Sequence, residues 1–194
     1  MKLFINHQDS YSRGELLLRT FLGFLYISIP HFLAIFLFAL WGLVLSIVVF
    51  FIIVFTGKYP EEIFNYMIKL MNWELRIKAS RSSLVDGYPS FGIEVIPTNT
   101  WLTVERMDKY SRLLVLLRFL FGPIFVSFPH GICLLFRYLA DSLLGVIAFF
   151  AILFTGKYPE SIHSFRVGTI RWSTRVQLYL SYMTDNYPPF SGKE

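Results

Sequence analysis

Two histidines stand where an ionisable group is costly: His31 and His130, each directly after a proline inside an apolar run. Two imidazoles from two helices, brought to a common axis, can ligate a haem iron or a metal, or relay protons. A plainer role competes with these: proline frees a carbonyl one turn back, and a neighbouring histidine can satisfy local backbone groups. Arginines form the second set. Arg19 and Arg118 lie near the start of the apolar runs, and Arg76 and Arg175 lie on later polar stripes. All four are candidates for holding a lipid phosphate or another anion, with Arg19 and Arg118 otherwise expected to snorkel to the interface. Arg137 and Asp141, four apart, can pair on one helix face. No nucleophile–base–acid set, zinc signature or phosphate-binding loop is present, so no catalytic residue, metal ligand or cofactor is assigned.

These residues recur in register. The hexapeptide FTGKYP occurs at Phe55–Pro60 and again 99 positions later at Phe154–Pro159. The same offset matches Tyr11-Ser12-Arg13 to Tyr110-Ser111-Arg112, Arg19 to Arg118, Pro30-His31 to Pro129-His130, and Trp73 to Trp172. It also matches Arg76 to Arg175 and Asp86-x-Tyr88-Pro89 to Asp185-x-Tyr187-Pro188. Two unrelated apolar runs would share Leu and Phe, not paired Pro-His, Trp and Arg columns. The chain is a tandem duplication, residues 1–92 and 101–194 joined by 93–100.

The composition sets the solvent. Of 194 residues, 55% are hydrophobic, 19% aromatic and 16% charged, values that belong to a membrane protein. The polar N-terminus carries no signal-peptide pattern. The single Cys133, inside an apolar run, is expected to be a small buried hydrophobe. From Leu16 to Phe55 only Arg19 and His31 interrupt about 40 apolar residues, roughly 60 Å of helix against a ~30 Å hydrocarbon core. The expectation is a fold-back at Ala39–Gly42, and at Ala140-Asp141-Ser142 in the second copy, making a spanning hairpin in each repeat. A re-entrant hairpin is the other geometry.

FTGKYP reads as a corner: glycine after a helix end, lysine on the negative end of its dipole, tyrosine at the interface, proline opening the next helix. From Pro60 to Ala79, Glu62, Asn65, Lys69, Asn72 and Arg76 fall on one face of an amphipathic helix expected in the interface or against the hairpin. Lys2–Asn6, Gly92–Ile96 and Trp101–Glu105 alternate weakly, predicting a two- or three-stranded element. With hairpins in place, Arg137 alone of the 18 Lys and Arg residues lies near the turns, so the termini and amphipathic helices are expected on the cytoplasmic side. That topology accounts for the pI near 9.3 without a nucleic-acid partner.

The second copy from Phe149 through FTGKYP, Trp172-x-x-Arg175 and Thr184-Asp185-x-Tyr187-Pro188-Pro189-Phe190, with Pro129-His130 upstream, closely resembles the bacterial membrane family called domain of unknown function 4389. The first copy resembles it with Asn72 and Ser90 replacing the Arg171 and Pro189 types. The resemblance implies a protein of the bacterial cytoplasmic (inner) membrane and carries no activity; the expected hairpins make it multi-pass.

The expected fold is all-α integral membrane. It comprises two parallel tandem repeats about a pseudo-two-fold axis, each a transmembrane hairpin plus an interfacial amphipathic helix, with a small β element at the cytoplasmic face. The expected role is a non-enzymatic accessory or scaffold subunit bound to membrane lipids and to a membrane-protein partner or copies of itself. The alternatives are a transporter or lipid-handling protein with His31, His130, Arg19 and Arg118 on the axis, and a bis-histidine haem redox subunit.

Overall fold

The computed structural model describes residues 1–95 and 98–194. Among the described residues, each repeat has one short strand and three helical segments. The first holds β1 (Lys2–Ile5), α1 (Arg13–Gly23), α2 (Ile29–Thr56) and α3 (Glu61–Arg81). The second holds β2 (Thr100–Thr103), α4 (Arg112–Gly122), α5 (Phe128–Thr155) and α6 (Glu160–Leu180). Five-residue π-turns, Phe24–Ser28 and Pro123–Ser127, join α1 to α2 and α4 to α5. No break intervenes, so Arg13–Thr56 and Arg112–Thr155 are each a single 44-residue helix, long and apolar enough to cross a membrane.

The expected hairpins are absent. Ala39–Gly42 lies inside α2, and Ala140–Ser142 inside α5. Ala, Leu and Trp at positions 39 to 41 all tolerate a helix, and nothing there releases the i→i−4 ladder. The Ser46 hydroxyl donates to the Gly42 carbonyl (2.9 Å), and that of Ser142 to Tyr138 (2.8 Å). Gly42 serves close approach instead of a turn. A Cβ on it would stand 3.4 Å from Leu70 and 3.5 Å from Met67, both on α3.

FTGKYP is the corner that its residues predict. Gly57 and Gly156 take the left-handed conformation (φ 72° each), and their N–H groups donate to Ile53 and Ile152 at 2.8 Å. Pro60 and Pro159 then stand in extended conformation directly before α3 and α6. Because a branched side chain is strained at positive φ, Gly57→Val is expected to cost about 1–2 kcal/mol. Thermal unfolding of the detergent-solubilised protein measures it; an unchanged midpoint would mean that the corner carries no conformational demand.

Among the described residues the β element has two strands. β1 and β2 pair antiparallel, with Leu3 opposite Leu102 and Phe4 opposite Trp101. Gly92–Val95 forms no strand, and Ile96 lies outside the described residues. Gly92 sits at φ 96°, and its carbonyl accepts from the Arg76 guanidinium at 2.5 Å, so that segment is held by a side chain and not by a ladder.

Leu3 and Leu102 are repeat equivalents, so the strand pair is self-complementary about a pseudo-two-fold axis. The rest of the interface obeys the same operator. The Tyr11 N–H donates to Gly156 and the Tyr110 N–H to Gly57, both at 2.8 Å. Arg13 reaches the Phe154 carbonyl (3.1 Å), placing a cation on the negative end of the other repeat's long helix. Strands are exchanged as well: Asn72 of α3 donates to the Leu102 carbonyl and accepts its N–H (3.0 and 2.8 Å), while Arg171 of α6 donates to Leu3.

Three layers result. The sheet lies over α3 and α6, and the long helices lie beneath them. On α3, Asn72 and Leu75 face the sheet, while Tyr66 and Trp73 on the opposite side bond Phe38 and His31 of α2. The amphipathic helices are therefore an interior layer. The buried core joins Leu3, Leu16, Val49, Ile53, Met71, Leu75, Leu102, Val115 and Ile152 across both repeats.

Along the first long helix the covered residues return every three or four positions from Leu16 through Arg19, Gly23 and Ile27 to His31, and the same face is covered again at Gly42, Val49 and Ile53. Cys133 falls between covered His130 and Leu134 but about 100° round the helix, so it is exposed, not buried as expected.

Candidate functional site

Each repeat gathers its shared motif residues into one constellation. Ser12 caps α1, its hydroxyl accepting from the Glu15 N–H (3.3 Å), and its own N–H donates to Asp86 (2.6 Å). The other oxygen of Asp86 takes the Arg19 guanidinium, which also donates to the Val85 carbonyl. The second copy repeats this: Ser111 donates to Asp185 (2.6 Å), and Arg118 donates to Asp185 and to the carbonyls of Thr184 and Tyr179. Arg118 also lies over the Tyr179 ring, 4.5 Å from its centre.

Arg19 and Arg118 are 2% and 5% exposed, so neither snorkels. A carboxylate fixed by the following loop neutralises each guanidinium inside the fold, and the long side chain has no need to reach water.

Asp-x-Tyr-Pro also repairs the proline. Pro30 has no N–H for the carbonyl of Tyr26, nor Pro129 for that of Phe125. The Tyr88 hydroxyl donates to Tyr26 (3.3 Å) and the Tyr187 hydroxyl to Phe125 (3.0 Å). The same loop thus closes the long helix at two levels, with aspartate at its start and tyrosine at its π-turn.

The histidines accept. Trp73 Nε1 donates to His31 Nδ1 (2.9 Å), and Trp172 Nε1 to His130 Nδ1 (3.0 Å). Indole can only donate, so Nδ1 carries the lone pair and Nε2 carries the proton. Aromatic rings of the same repeat close around each: Tyr88 and Phe91 on His31, Tyr187 and Phe190 on His130, with Phe190 stacked at 3.9 Å. Both Nε2 atoms are buried without a partner among the described residues.

A haem iron does not fit here. Ligation through Nε2 would move the proton to Nδ1, directly facing the indole N–H. The two histidines also sit in separate enclosures, each closed by aromatic rings of its own repeat.

Arg76 and Arg175 complete the ties. Arg76 donates to the carbonyls of Ser90 and Gly92, and Arg175 to that of Ser191. Burial lowers both guanidinium pKa values from the usual range. Arg137 does not pair with Asp141. It turns inward to Thr169 and the Phe165 carbonyl, while Asp141 pairs with Arg166 at 3.1 Å. Both charges are drawn to α6, which the expected fold-back would have removed from reach.

One polar cluster had no flag in the sequence. His7 bonds the Tyr158 carbonyl (2.9 Å), and its ring stands edge-on to His163 at 4.8 Å. His163 bonds the Leu84 carbonyl (3.3 Å), where burial, followed by the charge of His7, pulls its pKa down to about 4. Nothing in repeat periodicity points to it, because neither histidine has a histidine counterpart.

The unfolded value lies near 6.5, so the native state gives up stability as pH falls from about 6.5 towards 4 and keeps it in full above that window. The expected loss at pH 4 is roughly 3 kcal/mol. Denaturant midpoints at pH 7.5 and 5 should separate strongly for the natural protein and less for His163→Gln. Equal pH slopes would show that His163 titrates normally.

No curated protein sequence matches this chain, and no solved structure does. The family described as Domain of unknown function (DUF4389) matches residues 13–92 and 112–192, segments that run from the Ser-capped start of each long helix to the loop beyond Asp-x-Tyr-Pro. Apart from the capping Ser12 and Ser111, which immediately precede the matched segments, both copies of the constellation fall within them, and the chain belongs to that family as two tandem members.

Proposed function

We propose that the protein is a non-enzymatic, membrane-embedded scaffold of the bacterial inner membrane. One observation carries this reading: the recurring ionic and aromatic motif residues hold the fold together, and the surface left over is the apolar outer face of two long helices. A membrane scaffold needs a rigid body with a lipid- or partner-facing apolar surface, and no reacting groups. The termini are placed on the cytoplasmic side, a reading supported by the net charge of +5, which suits the anionic inner leaflet. Its partners are membrane lipids and a membrane protein or further copies of itself.

A lipid-handling role has one feature in its favour. A cleft of about 410 Å³ between the repeats sets Arg81, Ser82 and Arg166 beside Val146, Phe149 and Phe150, a lining suited to an amphiphile. Native mass spectrometry after gentle solubilisation tests both readings. The scaffold predicts a fixed protein stoichiometry with any lipid substoichiometric; one tightly held lipid per chain favours lipid handling. A lipid-free, partner-free monomer would overturn the scaffold.

A further inference from the structure

We infer that the protein is monotopic: both long helices lie along one leaflet of the bilayer, held there by hydrocarbon contact on their outer faces, and neither crosses. This rests on the membrane reading above and fixes its geometry. The pseudo-two-fold axis stands normal to the two-stranded sheet, because the symmetry-related Leu3 and Leu102 oppose each other on its inner face.

Under that axis Arg13 and Arg112 share one height, and Thr56 and Thr155 share another. The Tyr11–Gly156 and Tyr110–Gly57 hydrogen bonds make the two heights equal. Each long helix therefore begins and ends at the same level, which no single crossing permits.

Turning the axis into the membrane plane would let the helices cross. It would also carry the sheet with Lys2, and α3 with exposed Glu61, Glu62, Lys69 and Arg81, into hydrocarbon. With the axis along the membrane normal, the sheet faces water and the layer of long helices faces lipid.

The occupant of that face is set by its chemistry. Phe21, Leu25, Phe32, Phe36, Leu43 and Phe55 mark a stripe that follows the whole first helix, each exposed and none beside a charge on that stripe. Leu113, Leu120, Phe136, Leu143 and Phe154 mark its counterpart. The two ionic residues of α5, Arg137 and Asp141, are turned away from it into α6. A helix of 44 residues spans ~66 Å, twice the hydrocarbon thickness, so its length suits lying in a leaflet better than crossing one.

Sided thiol labelling of sealed vesicles tests this. Cys133 of the natural protein is expected to resist a membrane-impermeant maleimide from either face until detergent is added. In a Cys133→Ala background, Lys2→Cys, Lys58→Cys and Lys157→Cys are expected to react from one and the same face. Trp41→Cys and Leu143→Cys are expected to react from neither.

Labelling of Trp41→Cys or Leu143→Cys from the face opposite Lys58→Cys would overturn the monotopic arrangement and leave a membrane protein. So would Lys58→Cys and Lys157→Cys reacting from opposite faces. Release of the natural chain from membranes by alkaline carbonate would overturn the membrane reading itself.

Discussion

Asp185→Ala is expected to destabilise the protein by about 3–5 kcal/mol, the range for removing one partner of a buried ion pair. The substitution leaves the Arg118 guanidinium charged inside the fold at 5% exposure and strips the Ser111 N–H, at the start of α4, of its acceptor. Arg118 cannot shed its proton to escape the penalty. The double variant Arg118→Met/Asp185→Leu should recover most of the loss, since an apolar pair of similar volume needs no compensation. Asp86→Ala should cost less, because Glu15 lies 3.8 Å from Arg19 and can serve as a second acceptor. Denaturant unfolding in detergent reads all three. If Asp185→Ala unfolds at the midpoint of the natural protein, Arg118 is solvated, and an anion site there becomes the better account.

Trp73→Ala carries the other large effect, about 3–5 kcal/mol, typical of emptying a fully buried aromatic site. Trp73 is 0% exposed and stands at the junction of α2, α3 and the loop after Asp-x-Tyr-Pro, touching His31, Phe38 and Phe91. Trp73→Phe separates the two parts of its role. It keeps most of the volume and removes only the indole donor, so about 1 kcal/mol should be lost. His31→Leu removes the acceptor and should leave the Trp73 N–H unsatisfied at a similar or somewhat larger cost. A bound-ligand role for His31 would instead leave stability untouched in both conservative variants.

Much of this was readable from residue pairs that recur at the 99-residue offset. The duplication, the helical class, the glycine corner of FTGKYP and the polar stripe of α3 all follow from local chemistry with a fixed period. The fold-back did not, because it came from the length of the apolar run: a helix that lies along a surface has no length limit of ~30 Å. Residues 39 to 42 contain nothing that ends a helix, and that local evidence was the sounder guide.

Arg19, Asp86 and Ser12 were visible as separate repeat columns. Their convergence was not, since 67 positions separate Arg19 from Asp86 and no periodicity links a helix to a loop. The exchange between repeats was equally hidden. Tyr11 and Gly57 match Tyr110 and Gly156, but the matching columns say nothing about whether a tyrosine meets its own copy's glycine or the other's.

That exchange bears on what half of this chain can do alone. Residues 1–92 contain the Tyr11 amide without Gly156, the α3 shelf without the Leu102 strand, and the end of α2 without Tyr110. An isolated half would expose these unmet groups together, on one side, in the arrangement that a second identical half can fill. Severed between the repeats, the protein should behave as a two-piece kit that reassembles, and a relative holding one copy would complete itself only by coupling to its twin.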